Sequence, residues 1–297
     1  MARPDPVVTA PGTDTFAMPN QPSIITLLTD FGTQDYFVGA MKGIILSRNP
    51  HAQIVDLTHD IPPQDIHAGA FNLLATYRDF PPGTIHVAVV DPGVGSDRRA
   101  LIIECANQLF VGPDNGLFSW ICEREGQSRA FALTNERFFR RPVSNTFHGR
   151  DIFAPVAAAL SLGHEPHEFG SELNDIVQLE SLEPERIDDD TIQGRIIHID
   201  RFGNCVTNLT NEILRLRSGP TAWRMTLHGQ EINSFHPFFS EANAGEIFCT
   251  NGSAGFLEIS VRNSSAAKLL NVQRGQAIVF SATTLTAVTP RSGASGQ

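Results

Sequence analysis

A largely apolar run from Thr84 to Val90 delivers an acid, Asp91, directly into a Pro-Gly-Val-Gly turn, and Arg98 and Arg99 follow within eight residues. A short apolar run bounded by turn residues reads as a buried strand. Open α/β sheets bind ligands outside the carboxyl ends of their strands, so Asp91 stands where a functional carboxylate would be presented. The pattern recurs where Ile24–Thr29 runs into Asp30, Phe31 and Gly32. Two acids placed in this way indicate a polar small-molecule site rather than a packing feature.

Strand and helix signals alternate around these two segments. Ile24–Thr29 is a strand, and Phe37, Ala40, Met41, Ile44 and Ile45 then fall on one face of a helix. Gln53–Thr58 reads as a strand, Ile66–Phe80 as a helix, Thr84–Val90 as a strand and Ala100–Val111 as a hairpin. Helices follow at Gly116–Glu125 and Ile152–Leu162. Such alternation predicts an α/β N-terminal domain over 23–185, a mostly parallel sheet with helices on both faces. After the polar stretch Glu183–Asp190 the pattern changes. Gly194–Ile199, Trp223–Leu227, Glu246–Thr250, Phe256–Val261 and Ala277–Phe280 are short strands separated by turn residues. They predict an all-β, antiparallel, barrel-like C-terminal domain over 186–288.

A chain of 297 residues is long enough for two such domains. Its net charge of −10 argues against a nucleic-acid partner, whose binding rests on basic patches. No apolar run approaches the roughly 18 residues that span a bilayer, so no membrane partner is expected. Residues 1–22 carry five prolines and no apolar core, and read as a disordered leader rather than a signal peptide. Residues 289–297 read as a flexible tail. Cys105, Cys122, Cys205 and Cys249 form no Cys-x-x-Cys pair and read as free thiols in the core, which suits a reducing, cytoplasmic setting.

Several segments carry candidate chemistry. Pro92–Ser96 lacks the Gly-Lys-Ser/Thr ending of a phosphate loop, which leaves it as the turn that presents Asp91 and Arg98. His148 lies in Phe147–Pro155, just ahead of a helix, where a histidine is readily presented at the sheet rim. Arg150 and Asp151 read as serving the start of that helix, with Asp151 favoured by its dipole. His164 and His167 are an i, i+3 pair with no third ligand at metal spacing, so no metal or other cofactor is expected. Three turns are equally readable as ligand contacts or as plain turns. They are Pro113–Gly116 with Asn115, Asp200–Asn204 beside Phe202, and Asn251–Gly255 around Ser253.

In combination these motifs are specific. Thr29-Asp-Phe-Gly32, Val90-Asp-Pro-Gly-Val-Gly95 with Arg98, Gly112-Pro-Asp-Asn-Gly116, Thr146-Phe-His-Gly-Arg-Asp151 and Asp200-Arg-Phe-Gly-Asn204 follow one another in order. Over residues 23–285 the chain resembles the adenosine-forming S-adenosyl-L-methionine (SAM) hydrolases. These are also called SAM hydroxide adenosyltransferases and are relatives of the SAM-dependent fluorinase and chlorinase. The resemblance implies hydrolysis of SAM to adenosine and L-methionine by water attack at the ribose C5′. It also implies a homotrimer whose ligand lies between the first domain of one subunit and the second domain of its neighbour.

By the same resemblance, Asp91, Arg98 and His148 form the catalytic set, and Asp30 binds the ribose. Phe31, Asn115, Asp200, Phe202, Asn204, Ser253, Phe256 and Arg262 are the remaining substrate contacts. Asp91 and His148 are both candidates to accept the water proton. Where the halogenating relatives have an arginine after the equivalent of Ser253, this chain has Ala254. Those relatives also resemble Thr-Tyr-Pro-Ala-Thr-Gly where this chain has Val-Asp-Pro-Gly-Val-Gly, and the fluorinase carries an inserted loop that the Arg98–Pro113 segment leaves no room for. Both departures favour hydrolysis over halogenation, and the intact catalytic set favours it over a SAM or adenosine sensor.

Overall fold

A computed structural model describes residues 23–215 and 221–284 of the chain. The leader read into 1–22 and the tail read into 289–297 lie outside the described residues. The first sheet contains β1 (Ile24–Thr29), β2 (Gln53–Thr58), β3 (Ile85–Val89), β4 (Ala100–Cys105), β5 (Gln108–Pro113), β6 (Ser128–Ala132) and β7 (Glu172–Leu173). Their spatial order is β2-β1-β3-β5-β4-β6-β7. β1 is parallel to both β2 and β3, and β3 is parallel to β5. β4 is antiparallel to β5 and β6, which returns β6 to the common direction, and β7 runs against β6. The sheet is therefore mostly parallel.

From β1 the chain passes through α1 (Phe37–Arg48) to β2 on one side. It returns through α2 (Ile66–Thr76) to β3 on the other side. That reversal opens a crevice between the carboxyl ends of β1 and β3, the usual ligand position of such sheets. Thr29 and Val89 are register partners, so the chain emerges from the two strands side by side, just before Asp30 and Asp91.

The run Thr84–Val90 is largely apolar because both faces of the sheet are covered, with Thr84 and His86 as its buried polar residues. Leu27, Val87 and Val89 pack with Met41 and Ile45 of α1 and Val156 and Ala157 of α4 (Ala154–Leu160). Leu28, Ala88 and Val90 point the other way, into Phe71 and Leu74 of α2 and Trp120 of α3 (Ser119–Glu125). Full burial of a Val, Leu or Ile contributes roughly 1.5–3 kcal/mol, so these two strands anchor the domain.

Three helices depart from the expected bounds. α2 stops at Thr76 and continues as one 3-10 turn, Tyr77–Asp79, because Phe80 precedes a proline and turns extended. α3 begins at Ser119 rather than Gly116, whose φ of +96° is not helical. One turn of π-helix, Gly149–Phe153, precedes α4, which ends at Leu160.

The second sheet is antiparallel throughout and curls into a nearly closed barrel. It contains β8 (Glu185–Arg186), β9 (Thr191–Ile199), β10 (Cys205–Thr210), β11 (Thr221–Leu227), β12 (Gln230–Ile232), β13 (Ile247–Asn251), β14 (Phe256–Val261) and β15 (Ala277–Thr284). Ile196, Leu209, Met225, Leu257 and Phe280 belong to its core. The barrel packs on the α2/α3 side of the first sheet through Leu182, Ile197, Val206 and Phe256. His198 stacks on Phe71 with ring centroids 4.3 Å apart, and Arg274 grips Asp65, the N-cap of α2, at 2.6 Å. Among the described residues no helix is long and apolar enough to cross a membrane, and all four cysteines are free.

Candidate active site

The crevice holds a cavity of about 410 Å³, within the range of small-ligand sites. Asp30 and Phe31 line it from the end of β1, Asp91 and Val94 from beyond β3, and Phe147 and His148 from the loop that precedes α4. Phe37 and Gln64 complete the wall. Asp30 Oδ2 accepts the Gln64 backbone N–H at 2.7 Å. The turn behind Asp30 is closed by the Gly32 N–H on the His59 carbonyl and by the Thr29 hydroxyl against His59 Nδ1, both at 2.8 Å.

Arg98 does not itself line the cavity but joins Asp91 and His148, which do. Its Nε lies 3.0 Å from each Asp91 oxygen, and its Nη2 donates to Asp91 Oδ2 at 2.5 Å and to His148 Nδ1 at 2.6 Å. The side chains of Arg98 and Asp91 are only 10% and 4% exposed. The Arg98 guanidinium also sits 5.5 Å from the Phe153 ring centre. Water is largely kept from this ion pair, so it interacts more strongly than a surface pair.

The network fixes the state of His148. A guanidinium has no lone pair to offer, so Nδ1 must be the acceptor and the imidazole carries its proton on Nε2. Burial, then the positive charge of Arg98, hold the His148 pKa below its ordinary value, against smaller upward pulls from Asp91 and Asp151. His148 is thus neutral at pH 7 and presents an N–H donor. The Asp91 carboxylate has about four acceptor positions, of which Arg98 fills three, two of them on Oδ2. The open position lies on Oδ1.

Two further contacts hold the loops together. Asn115 Nδ2 donates to the Val90 carbonyl at 2.8 Å and so braces the residue before Asp91. Gly95, at φ +79°, lies so close to the His148 loop that a Cβ there would stand 2.3 Å from the Asn145 carbonyl oxygen. No side chain fits at that position, and the glycine lets the two loops meet.

The remaining sequence-derived contacts all lie in the barrel and do not line this cavity. Asp200 accepts from the backbone of Phe202 and Asn204 and from Asn204 Nδ2 at 2.8–2.9 Å, which shapes its own turn. Phe202 is 77% exposed, and Ser253 is exposed as well. Phe256 is buried between the domains beneath the Arg124 guanidinium, and Arg262 donates to the carbonyls of Ser240 and Ala242. Sequence reasoning missed Gln64, Phe37, Val94 and Phe147 as lining residues. Phe147 sits beside His148 in Thr146-Phe-His-Gly-Arg-Asp151, whereas nothing local marks Gln64. Asp151 lies in the first turn of the π-helical segment, where an acid at a helix start was expected, and its carboxylate is also enclosed by side chains and backbone of its own loop. Among the described residues no group of three or more His, Cys, Asp or Glu side chains is placed to hold a metal ion.

Known proteins resemble the chain along most of its length. Residues 25–170 match the SAM hydroxide adenosyltransferase N-terminal domain, and residues 194–279 match the SAM hydroxide adenosyltransferase C-terminal domain. The chain is 40% identical over 260 residues to the (R)-S-adenosyl-L-methionine hydrolase of Methanocaldococcus jannaschii, covering 84% of this chain and 92% of that one. It is 35% identical over 263 residues to the Thermus thermophilus protein of the same name, covering 86% and 98%. The fluorinase of Nocardia brasiliensis stands further off, at 26% over 283 residues, 85% of this chain and 94% of that one. A solved structure, an uncharacterized conserved protein from Thermotoga maritima, matches with a TM-score of 0.80 at 34% identity and covers 86% of this chain and 99% of that one.

Proposed function

Because the chain belongs to the SAM hydroxide adenosyltransferase family, we propose that it is an enzyme that hydrolyses (R)-S-adenosyl-L-methionine. Water displaces L-methionine in line at the ribose C5′ and leaves adenosine. The observation that carries this reading is the Asp91–Arg98–His148 network, whose Asp91 and His148 line the cavity with one open acceptor on Asp91 and one free donor on His148.

The chemistry asks little of the leaving group. A sulfonium carbon is already activated and methionine departs as a neutral thioether, so the reading requires no general acid and no cofactor. The demand falls on the nucleophile. Free hydroxide near pH 7 would need the pKa of water lowered from about 15.7 to about 7, roughly 12 kcal/mol. One guanidinium at about 4 Å supplies on the order of 4 kcal/mol at an effective dielectric of about 20. Arg98 therefore does not hold a formed hydroxide, and water loses its proton during attack. Positioning contributes about 7–11 kcal/mol and a base about 10²–10⁴-fold.

Asp91 is the base in this reading, because its Oδ1 keeps an acceptor position that Arg98 does not fill, while the acceptor of His148 is engaged by Arg98. The His148 Nε2–H then orients the water oxygen, and Arg98 holds both partners. Asp30 receives the ribose diol, and the aromatic wall of Phe31, Phe37 and Phe147 excludes solvent.

The barrel residues Asp200, Phe202, Asn204, Ser253, Phe256 and Arg262 contribute from a neighbouring copy in a homotrimer, around the methionine end of the ligand. Their absence from the cavity of their own chain and the exposure of Phe202 support that arrangement. Mixing inactive Asp91→Asn subunits with inactive Asp200→Ala subunits tests it, since shared sites regain activity and self-contained sites do not. The free thiols support a reducing, cytoplasmic location. The direct test of the function is incubation with SAM in halide-free buffer. Equimolar adenosine and methionine are expected, and turnover that waits for added chloride would make the chain a halogenase.

A further inference from the structure

Asp151 is enclosed by the loop that carries His148, and its side chain has no exposed surface. Its Oδ1 accepts from Arg140 Nη1 at 2.9 Å and from Arg150 Nε at 2.7 Å. Its Oδ2 accepts from the Ser144 N–H at 2.9 Å and from Arg150 Nη2 at 2.8 Å. All four acceptor positions are filled, so this carboxylate has nothing left to offer a substrate or a water. The backbone of Asp151 closes the same loop. Its N–H donates to the Phe147 carbonyl at 3.2 Å, and its carbonyl accepts the Arg140 N–H at 2.8 Å. The bonds thus reach residues on both sides of His148, from Arg140 and Ser144 to Arg150, and tie the π-helical turn Gly149–Phe153 to the loop ahead of it.

We infer that Asp151 is a positioning residue for His148. Its buried carboxylate gathers residues 140–151 so that the imidazole Nδ1 meets Arg98 and Nε2–H faces the cavity. The inference rests on the hydrolase reading for its consequence in turnover, but not for its geometry.

The charged groups that act on His148 are Arg98, which bonds its Nδ1, Asp91, and Asp151 from its own loop. Burial and Arg98 are the larger influences on its protonation and both lower its pKa, while the two acids raise it. Two roles for Asp151 therefore have opposite signatures. If its carboxylate positions the ring, its loss releases the ring from burial and from Arg98, and the pKa rises toward the ordinary 6.5. If it acts only as a nearby charge, its loss lowers that pKa further.

The test is Asp151→Asn, read by NMR titration of the His148 ring together with kcat and KM for SAM, below the melting temperature of each variant. The expected result is a titration that moves up toward 6.5, kcat down by about 10²-fold as for a group misplaced by about 1 Å, and a KM changed little. Arg140→Gln keeps the carboxylate, removes one donor on a side chain 40% exposed, and should show the same changes to a smaller degree. It also decides the matter if Asp151→Asn fails to fold. A lower melting temperature with the His148 titration and kcat of the parent would make Asp151 purely structural and overturn the inference. So would a downward shift of the titration, or a raised KM at unchanged kcat. If the parent protein does not turn over SAM, the hydrolase reading falls while the titrations still decide the role of Asp151.

Discussion

Arg98 Nη2 lies 2.6 Å from His148 Nδ1, so the imidazole accepts from a guanidinium and is held neutral with its proton on Nε2. Burial and the Arg98 charge lower its pKa. The working form of His148 is therefore the neutral one, and its contribution to activity is kept until pH drops through that lowered value. A kcat–pH profile should show an acid limb below the ordinary histidine value of 6.5. A limb at or above 6.5 would mean that the contact with Arg98 is not kept during turnover.

Asp91→Asn keeps the shape of the side chain but removes the base and half of the ion pair. Loss of a positioned base costs about 10²–10⁴-fold in kcat. SAM should still bind, since Asp30 and the aromatic wall remain. Single-turnover rates and calorimetric titration separate the two quantities, and a near-normal rate would remove Asp91 from the chemistry.

Gly95→Ala places a methyl group 2.3 Å from the Asn145 carbonyl oxygen at a φ of +79°. Either the turn beyond Asp91 or the loop carrying His148 must move. Alanine at positive φ alone costs roughly 1–2 kcal/mol. Lower stability is expected together with a drop in kcat, because Asp91 and His148 no longer meet Arg98 together. Thermal melts and kinetics on the same sample check this, and an unchanged kcat would show that the two loops are not coupled.

His86 is fully buried on β3, its Nδ1 against the Thr26 hydroxyl at 2.8 Å and its ring stacked on Phe110. Burial lowers its pKa to about 4 from 6.5. The unfolded chain takes up this proton first as pH falls. The stability contributed by neutral His86 is thus complete above 6.5 and is lost progressively down to about 4. The difference amounts to roughly 3 kcal/mol. Urea unfolding at pH 7, 5 and 4 should show this loss, and His86→Gln should flatten the slope. A parallel slope in that variant would assign the acid sensitivity to other groups.

The acids at the ends of β1 and β3 were legible in the sequence because covered parallel strands are predominantly apolar, and a charge at their end stands out. β10 was not. Its Thr207 and Asn208 are buried, and their polar atoms bond the Leu257 and Leu182 carbonyls and the Arg195 N–H. Buried polar residues satisfied by distant backbone erase the alternation that marks a strand. The work of Asp151 was hidden for a related reason. Its partner Arg140 lies eleven residues away and is brought close only by the closed loop. Gln64 reaches the cavity through a turn with φ +67°, a conformation its side chain does not announce.

The central claim is attack of water on the ribose carbon, and isotope labelling tests it most directly. Purified protein is incubated with SAM in halide-free ¹⁸O-water, and the products are resolved by chromatography and mass spectrometry. Adenosine carrying ¹⁸O at its 5′ hydroxyl, released with methionine, is the expected outcome. Unlabelled adenosine, intact SAM, or a 5′-halogenated nucleoside formed only after chloride is added would contradict it.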